Sequence, residues 1–286
     1  MPDPAGAGYF SSRAPGERWG FYALDEIALT DSTALGLGIR YDRAANGEGN
    51  LNPRFSLVHQ WDAQTTLKLL YSTAFRAPNA FELYSYIADP NADLKSEKIK
   101  TYELIFEKQL GERSHFDASL YHYAITDLID QTLNPETGFP TFGNLNRVQA
   151  DGFTLNASHR WSDGRRLQAS YSWQRAEDES GRWLDNSPRH LAKLNWTQAL
   201  GWNGWRANVE LHYIGPRRAT QGNTVDGVLL AHVHLLGQPF GKNLDVALGV
   251  YNLFDQEYAD PAGNAHLQAQ IPQDGRTWRL KLDYRF

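Results

Sequence analysis

The chain has 286 residues, room for one large domain or two ordinary ones, with 28 Lys and Arg against 33 Asp and Glu, a net charge of −5. This mild acidity, without a basic block, argues against a nucleic-acid partner. The lack of any Cys excludes a disulfide framework, a Cys-ligated zinc site and a cysteine nucleophile. Mean hydropathy is −0.55, and no apolar run reaches the roughly 18 residues a transmembrane helix needs. Met1 to Gly8 lacks the basic-then-apolar pattern of a signal peptide. Against this profile stand 9 Trp, 14 Tyr and 13 Phe, 13% of the chain.

In chain order, the dominant period is two. Segment 19–30 places Trp19, Phe21 and Ala23 on one face, together with Asp25. In 33–42, Leu35, Leu37, Ile39 and Tyr41 alternate with Gly36, Gly38 and Arg40. Strands are predicted next over 54–61, 65–74, 98–109 and 114–127. Within 147–161, Phe153, Leu155, Ala157, His159 and Trp161 alternate with Thr154, Asn156, Ser158 and Arg160. Within 165–176, Leu167, Ala169, Tyr171 and Trp173 alternate with Gln168, Ser170, Ser172 and Gln174. Strands follow at 188–198 and 204–214, then at 226–236, where both faces are partly apolar, and at 243–253. The last, 275–286, is clearest: Trp278, Leu280, Leu282, Tyr284 and Phe286 face away from Arg279, Lys281, Asp283 and Arg285. That makes about thirteen strands of about ten residues, the length a tilted strand needs to cross a bilayer. No segment keeps a helical period beyond about two turns.

The connections alternate in length. Short ones fall near Asp31–Ser32, Asp62–Ala63, Leu110–Arg113, Ser162–Gly164, Gln198–Asn203 and Gly237–Lys242. Long ones fall near 43–53, 75–97, 128–146, 177–187, 215–225 and 254–274. In an antiparallel meander, short turns then lie at one end and long loops at the other, as in outer-membrane barrels. Aromatics cluster at the ends of the apolar faces: Tyr41, Trp61, Tyr71, Trp161, Trp173, Trp196, Trp205, Tyr213, Trp278 and Tyr284. Amphipathic rings favour the headgroup level at both edges of a lipid band. Half of each strand would face a polar lumen, which keeps the average hydropathy low.

Three blocks carry a family resemblance: FRAPNAFELY at 75–84, NADLKSEKIKTYEL at 91–104, and YNLFDQEY at 251–258 before a terminal amphipathic strand ending in Phe286. With YALDEIALTDSTALGLGIRYD at 22–42 and Ala150-Asp151-Gly152-Phe153, they resemble the C-terminal barrel of TonB-dependent outer-membrane receptors. The resemblance implies barrels of about 22 strands with an N-terminal plug inside. It implies uptake of scarce nutrients such as iron-siderophores, haem or cobalamin, driven through TonB, with no covalent chemistry and no cofactor.

The expected fold is therefore all-β: an antiparallel transmembrane β-barrel, here a partial, open barrel of about thirteen strands. Residues 1–286 are expected to be the C-terminal part of a receptor, with the plug and first strands absent and Met1 an internal start. The expected setting is the Gram-negative outer membrane. The expected partners are membrane lipid and lipopolysaccharide, barrel assembly machinery reading the terminal strand, a small metal-chelate ligand, and TonB only through the missing plug. Two alternatives stay open: a complete smaller barrel acting as a passive pore, and a soluble β-rich binding module.

The structural motif residues are Phe75, Arg76, Pro78, Asn79, Asn252, Phe254, Tyr258 and Phe286. Pro78 should end a strand, and Arg76 should anchor its loop by pairing with a carboxylate such as Glu82. Ligand contacts are expected from long-loop aromatics and arginines, suited to stacking and bidentate bonding. The candidates are Tyr84, Tyr86, Arg147, Arg175, Trp183, Arg217, Arg218, Tyr258 and His266. His232 and His234 share a strand face but lack a third metal ligand. Gly36-Leu37-Gly38 lies inside a strand and cannot cradle phosphate, and Glu177 with Glu179 has no apolar pocket around it.

Overall fold

The structure is a computed structural model and describes residues 17–44, 47–84, 93–136, 138, 140–144, 147–201, 204–239, 241, 243–263 and 266–286. Strands β1 (Trp19–Thr30), β2 (Thr33–Arg43), β3 (Gly49–Asp62) and β4 (Thr65–Arg76) lead into a short helix, α1 (Ala80–Tyr84). Next come β5 (Glu97–Leu110) and β6 (Ser114–Thr126), followed by a small hairpin of β7 (Ile129–Leu133) and β8 (Pro140–Asn144). β9 (Val148–Arg160), β10 (Arg166–Asp178), β11 (His190–Ala199) and β12 (Arg206–Ile214) precede the two-residue strands β13 (Arg217–Arg218) and β14 (Thr224–Val225). β15 (Val228–Gly237), β16 (Leu244–Tyr251), the short pair β17 (Ala259–Pro261) and β18 (Gln270–Pro272), and β19 (Thr277–Tyr284) follow.

One 13-stranded antiparallel sheet runs β1-β2-β3-β4-β5-β6-β9-β10-β11-β12-β15-β16-β19. The pairs β7–β8, β13–β14 and β17–β18 form minor sheets inside the long connections. The large sheet is open: among the described residues, β1 and β19 each have a neighbour on one side only. Glycines at positive φ close several of the short turns at one end, as at Gly111 (φ 67°) and Gly164 (φ 88°).

The register explains why the alternation is so clean. Across the ladder, Leu57 meets Leu69, then Leu104, Leu120 and Phe153. A second apolar row joins Phe106, Ala118, Leu155, Tyr171, Ala192 and Tyr213. On the other face, Glu107, Asp117, Asn156, Ser170, Lys193 and His212 form a polar row. Among the described residues nothing covers the apolar face: Leu69 stays 47% exposed and Leu120 57%. A contiguous apolar face of this extent belongs against hydrocarbon, not water. Among the described residues no helix is long and apolar enough to cross a membrane; the strands do the crossing.

Rows also climb. One starts at Ile27, close to the β1–β2 turn, and passes through Leu35, Leu57, Leu69, Leu104, Leu120, Phe153 and Trp173 to His190, at the loop end of β11. That stagger is what strands tilted to a barrel axis require. Aromatic pairs sit near both edges of the apolar face. Trp161 and Trp196 lie 5.1 Å apart at the turn end. Tyr71 and Tyr102, further towards the loops, lie 4.9 Å apart.

Several boundaries differ from the sequence reading, most at β3 and β19. β3 begins at Gly49, ahead of Pro53, which sits opposite Ile39 of β2. Pairing with β4 stops at Arg54 opposite Ser72, so Pro53 occupies a locally one-sided stretch that a strand proline tolerates. β19 ends at Tyr284, because β16 starts at its partner Leu244. Phe286 lies beyond the strand, edge-on to Tyr284 at 5.2 Å. The long connections also hold the three small hairpins, which are too short for alternation to reveal.

Candidate functional site

The buried residues lie mainly in and around the long connections, not between the strands: Leu83, Leu94, Ile129 and Phe142 form a cluster there. Two knots of loops make up this rim.

In the first knot, buried Pro78 follows β4, and Asn79 caps α1. The Glu82 amide donates to Asn79 Oδ1 at 2.9 Å, and the Asn79 amide donates back to Glu82 Oε2 at 2.9 Å. This reciprocal capping box stabilises a helix too short to stand alone. It also aims Glu82 at Arg76, which donates from Nη1 at 2.8 Å. The same guanidinium grips Glu97, its register partner on β5, through Nε at 2.6 Å and Nη2 at 2.7 Å. Glu97 Oε1 also accepts the Ile129 amide at 2.8 Å, which ties in β7. Asn144 of β8 donates to the Lys95 and Asp127 carbonyls at 2.9 and 2.7 Å. The predicted anchoring of Arg76 by Glu82 is present, and Glu97 is a second, bidentate partner. Phe75 lies half-buried opposite Lys98.

The second knot gathers most of the candidate ligand residues. Arg175 pairs with Glu177 at 2.7 Å, and Arg189 lies 3.9 Å from the same carboxylate. The Arg189 guanidinium also lies 5.0 Å above the ring of Trp183, whose indole donates to the Ser187 carbonyl at 2.6 Å. Arg218 meets Asp185 at 3.3 Å. Arg217, with only 8% of its side chain exposed, donates to Asp260 at 2.7 Å and to the Ala259 carbonyl at 3.1 Å. Thr220 donates to the Ala262 carbonyl at 3.0 Å, and Gln221 reaches the His266 carbonyl at 3.4 Å. Tyr258 sits next to this contact. Its burial, then the carboxylates of Asp260 and Asp274, push its phenol pKa up.

Asn252 closes the turn after β16 at φ 50°. Its side chain both donates to the Gln256 carbonyl and accepts the Gln256 amide, each at 2.9 Å. Phe254 is exposed beside it.

Arg175, Trp183, Arg217, Arg218, Tyr258 and His266 thus belong to one assembled sector. Arg147 stands apart, exposed just ahead of β9. Tyr84 ends α1, with its side chain outside the described part, and Tyr86 lies outside the described residues. Sequence reasoning missed Arg189 and Asp260, because their partners are fixed only when separate loops meet. Among the described residues no group of three His, Asp or Glu side chains could hold a metal ion. The Arg forks face carboxylates within the rim, so the arrangement can bind and hold but offers no activated nucleophile.

The family model described as TonB dependent receptor-like, beta-barrel matches residues 1–253. The chain belongs to the TonB-dependent receptor family. The iron-regulated outer membrane virulence protein of Vibrio cholerae is 25% identical over 94% of the chain and 44% of its own length. The vitamin B12 transporter BtuB of the same species is 24% identical over 88% of the chain and 40% of its own length. Among solved structures, a mutant ferric enterobactin receptor of Pseudomonas aeruginosa, in complex with enterobactin, superposes with a TM-score of 0.80. That match is 19% identical and covers 93% of the chain and 45% of the receptor, which shows the fold. The chain spans less than half the length of the curated relatives it matches. These relatives are receptors and transporters, not enzymes, and the sheet of this TonB-dependent receptor chain is an outer-membrane one.

Proposed function

We propose that this chain forms the C-terminal part of a larger receptor barrel that takes up a scarce metal-chelate nutrient, an iron-siderophore first, with haem or cobalamin as the other classes. The observation that carries the barrel reading is the direction of the two free edges. β1 and β19 stand at odd positions in an all-antiparallel order, so they run the same way. Antiparallel closure therefore needs an odd number of further strands, since single-chain barrels of this kind have an even total. A passive pore made from these strands alone would have to close through a parallel seam.

The substrate class is supported by the rim and by the relatives. Guanidinium and aromatic groups crowd one sector, where anionic or catechol ligands can stack and form bidentate bonds. Arg147, Arg175 and His266 are exposed there or beside it. Relatives are named for iron regulation, vitamin B12 and ferric enterobactin. Membrane lipid, lipopolysaccharide and barrel assembly machinery are proposed partners of the strands, and TonB a partner of the receptor's plug.

The test is growth of a strain whose only receptor is the full gene containing this chain, on ferric siderophores, haem or cobalamin as sole source. Rescue by a ferric siderophore supports the reading. Rescue by cobalamin alone or haem alone reassigns the substrate, and no rescue by any of them rejects uptake.

A further inference from the structure

His232 lies on the polar face of β15, directly opposite Glu210 of β12. Its Nδ1 accepts a hydrogen bond from the backbone N–H of Asn252, at 3.0 Å. Asn252 is 3% exposed and begins the turn that leads the chain from β16 into the long connection to β19. The same turn is tied to the foot of β19, because the Arg276 amide donates to Asp255 Oδ1 at 2.6 Å. The adjoining Leu253 amide donates to the Ala231 carbonyl of β15 at 2.8 Å, so the start of the connection that carries Tyr258 and Asp260 is held to the wall by that backbone bond and by one imidazole lone pair.

An acceptor nitrogen on imidazole exists only while the ring is neutral; the imidazolium donates from both nitrogens. Protonation at Nδ1 would set a ring N–H against the Asn252 N–H and leave a buried backbone donor unpaired. The surroundings act on the same equilibrium. From β12, His212 lies 5.3 Å away ring to ring, and Glu210 faces His232 as its register partner. From β15 comes His234, two residues along on the same face. From β16, the Tyr251 ring lies 5.5 Å from His232 and 5.1 Å from His234. Only Glu210 favours a charged ring. The two neighbouring imidazoles bring no negative charge to stabilise it.

We propose that His232 is an acid-sensitive latch: its neutral ring fastens the 252–276 rim connection to the wall, and protonation releases it. Because the rim faces the external medium in the orientation of this fold, the latch would answer to external pH. It acts on loop order, whatever the ligand.

The test is hydrogen exchange at the 252–256 amides in the full receptor in detergent micelles, corrected for the pH dependence of intrinsic exchange. Between about pH 7.5 and about pH 5, which spans histidine titration, the corrected exchange rate should rise about tenfold, the effect of losing one hydrogen bond. His232→Gln retains an acceptor at every pH, so it should keep the protection and abolish its pH dependence. A wild-type rate that does not change with pH overturns the proposal, as does an unchanged pH dependence in His232→Gln. Should that variant fail to assemble, histidine-selective 15N spectra of the wild type decide. Exchange at Asn252 must then follow protonation of His232, and exchange independent of it overturns the latch.

Discussion

The ring of Tyr121 on β6 lies across the backbone of Gly152 on β9, its register partner. A Cβ on Gly152 would run into the phenol and come within 2.6 Å of the Trp173 carbonyl oxygen of β10. Tyr121 is in turn stacked on Tyr123, 4.7 Å away and 12° from parallel. The glycine is thus a seat for an aromatic ring on the polar face, and it explains physically why Ala150-Asp151-Gly152-Phe153 reads as a unit. Gly152→Ala is expected to destabilise the barrel by about 1–3 kcal/mol, the scale of overpacking. The check is the urea midpoint of the receptor. Tyr121→Ala should rescue only part of the loss, since the carbonyl clash is with backbone; full rescue would refute this account of the site.

Arg76 shows what could be read from sequence and what could not. FRAPNAFEL gives a strand end at Pro78 with a nearby carboxylate, so the Glu82 contact was visible, while the Asn79 cap that aims Glu82 was not. Glu97 was not assigned to Arg76, because nothing local specifies the β4–β5 register. Since Glu97 also accepts the Ile129 amide, Glu97→Gln should loosen the β7–β8 hairpin more than Glu82→Gln does. Each change is expected to cost only about 1 kcal/mol, given that Arg76 is 45% exposed. Limited proteolysis at 127–147 reads the difference; equal cleavage in the two variants would show that Glu97 does not hold the hairpin.

Arg217 is buried and joins β13 to the Ala259–Asp260 backbone and carboxylate. Arg217→Ala would leave Asp260 and the Ala259 carbonyl without this donor, for about 2 kcal/mol, below the full cost of a broken buried pair because Asp260 is 43% exposed. Both bonds come from the single Nη2, so Arg217→Lys, whose ammonium carries three donors, should rescue part of the loss. Protease nicking in 215–227 and 254–273 together is the expected signature. Nicking confined to one of the two connections would mean they are not fastened through Arg217.

The raised phenol pKa of Tyr258 has a definite pH sign. A folded-state value above the unfolded one means that the group's stabilisation is complete below the unfolded pKa, about 10. It is lost as pH rises through the higher folded value. The 252–276 connection should therefore weaken on the alkaline side of about pH 10, and Tyr258→Phe should remove that part of the pH dependence. Thermal unfolding of wild type and variant at matched alkaline pH would show it. An identical alkaline slope in both would remove Tyr258 as the source.

Much of the sheet was legible because one face meets hydrocarbon and the other a polar interior, which imposes strict alternation over stretches such as Leu167–Trp173 and Trp278–Tyr284. The start of β3 was not, because Pro53 reads as a break unless its one-sided pairing is known. The β13–β14 and β17–β18 pairs are too short to leave a period. The rim knots were legible only as composition: Arg217 and Asp260 lie 43 positions apart and meet through loops. The same holds for His232 and Asn252, one rejected as a metal ligand and the other a motif residue at the end of the expected 243–253 strand, whose contact depends on the β15–β16 register.

The central claim is that the Leu104 face of this sheet meets lipid and the Glu107 face meets the receptor's aqueous interior. The chain has no native Cys, so once any Cys elsewhere in the receptor is replaced by Ser, single substitutions give clean labels. Leu104→Cys, Leu120→Cys, Glu107→Cys and Asn156→Cys would each carry an environment-sensitive fluorophore in outer membranes holding the full receptor. Labels at 104 and 120 should be quenched by nitroxide lipid and spared by aqueous iodide, with the reverse at 107 and 156. Iodide quenching of equal strength at all four positions would contradict the membrane-spanning sheet.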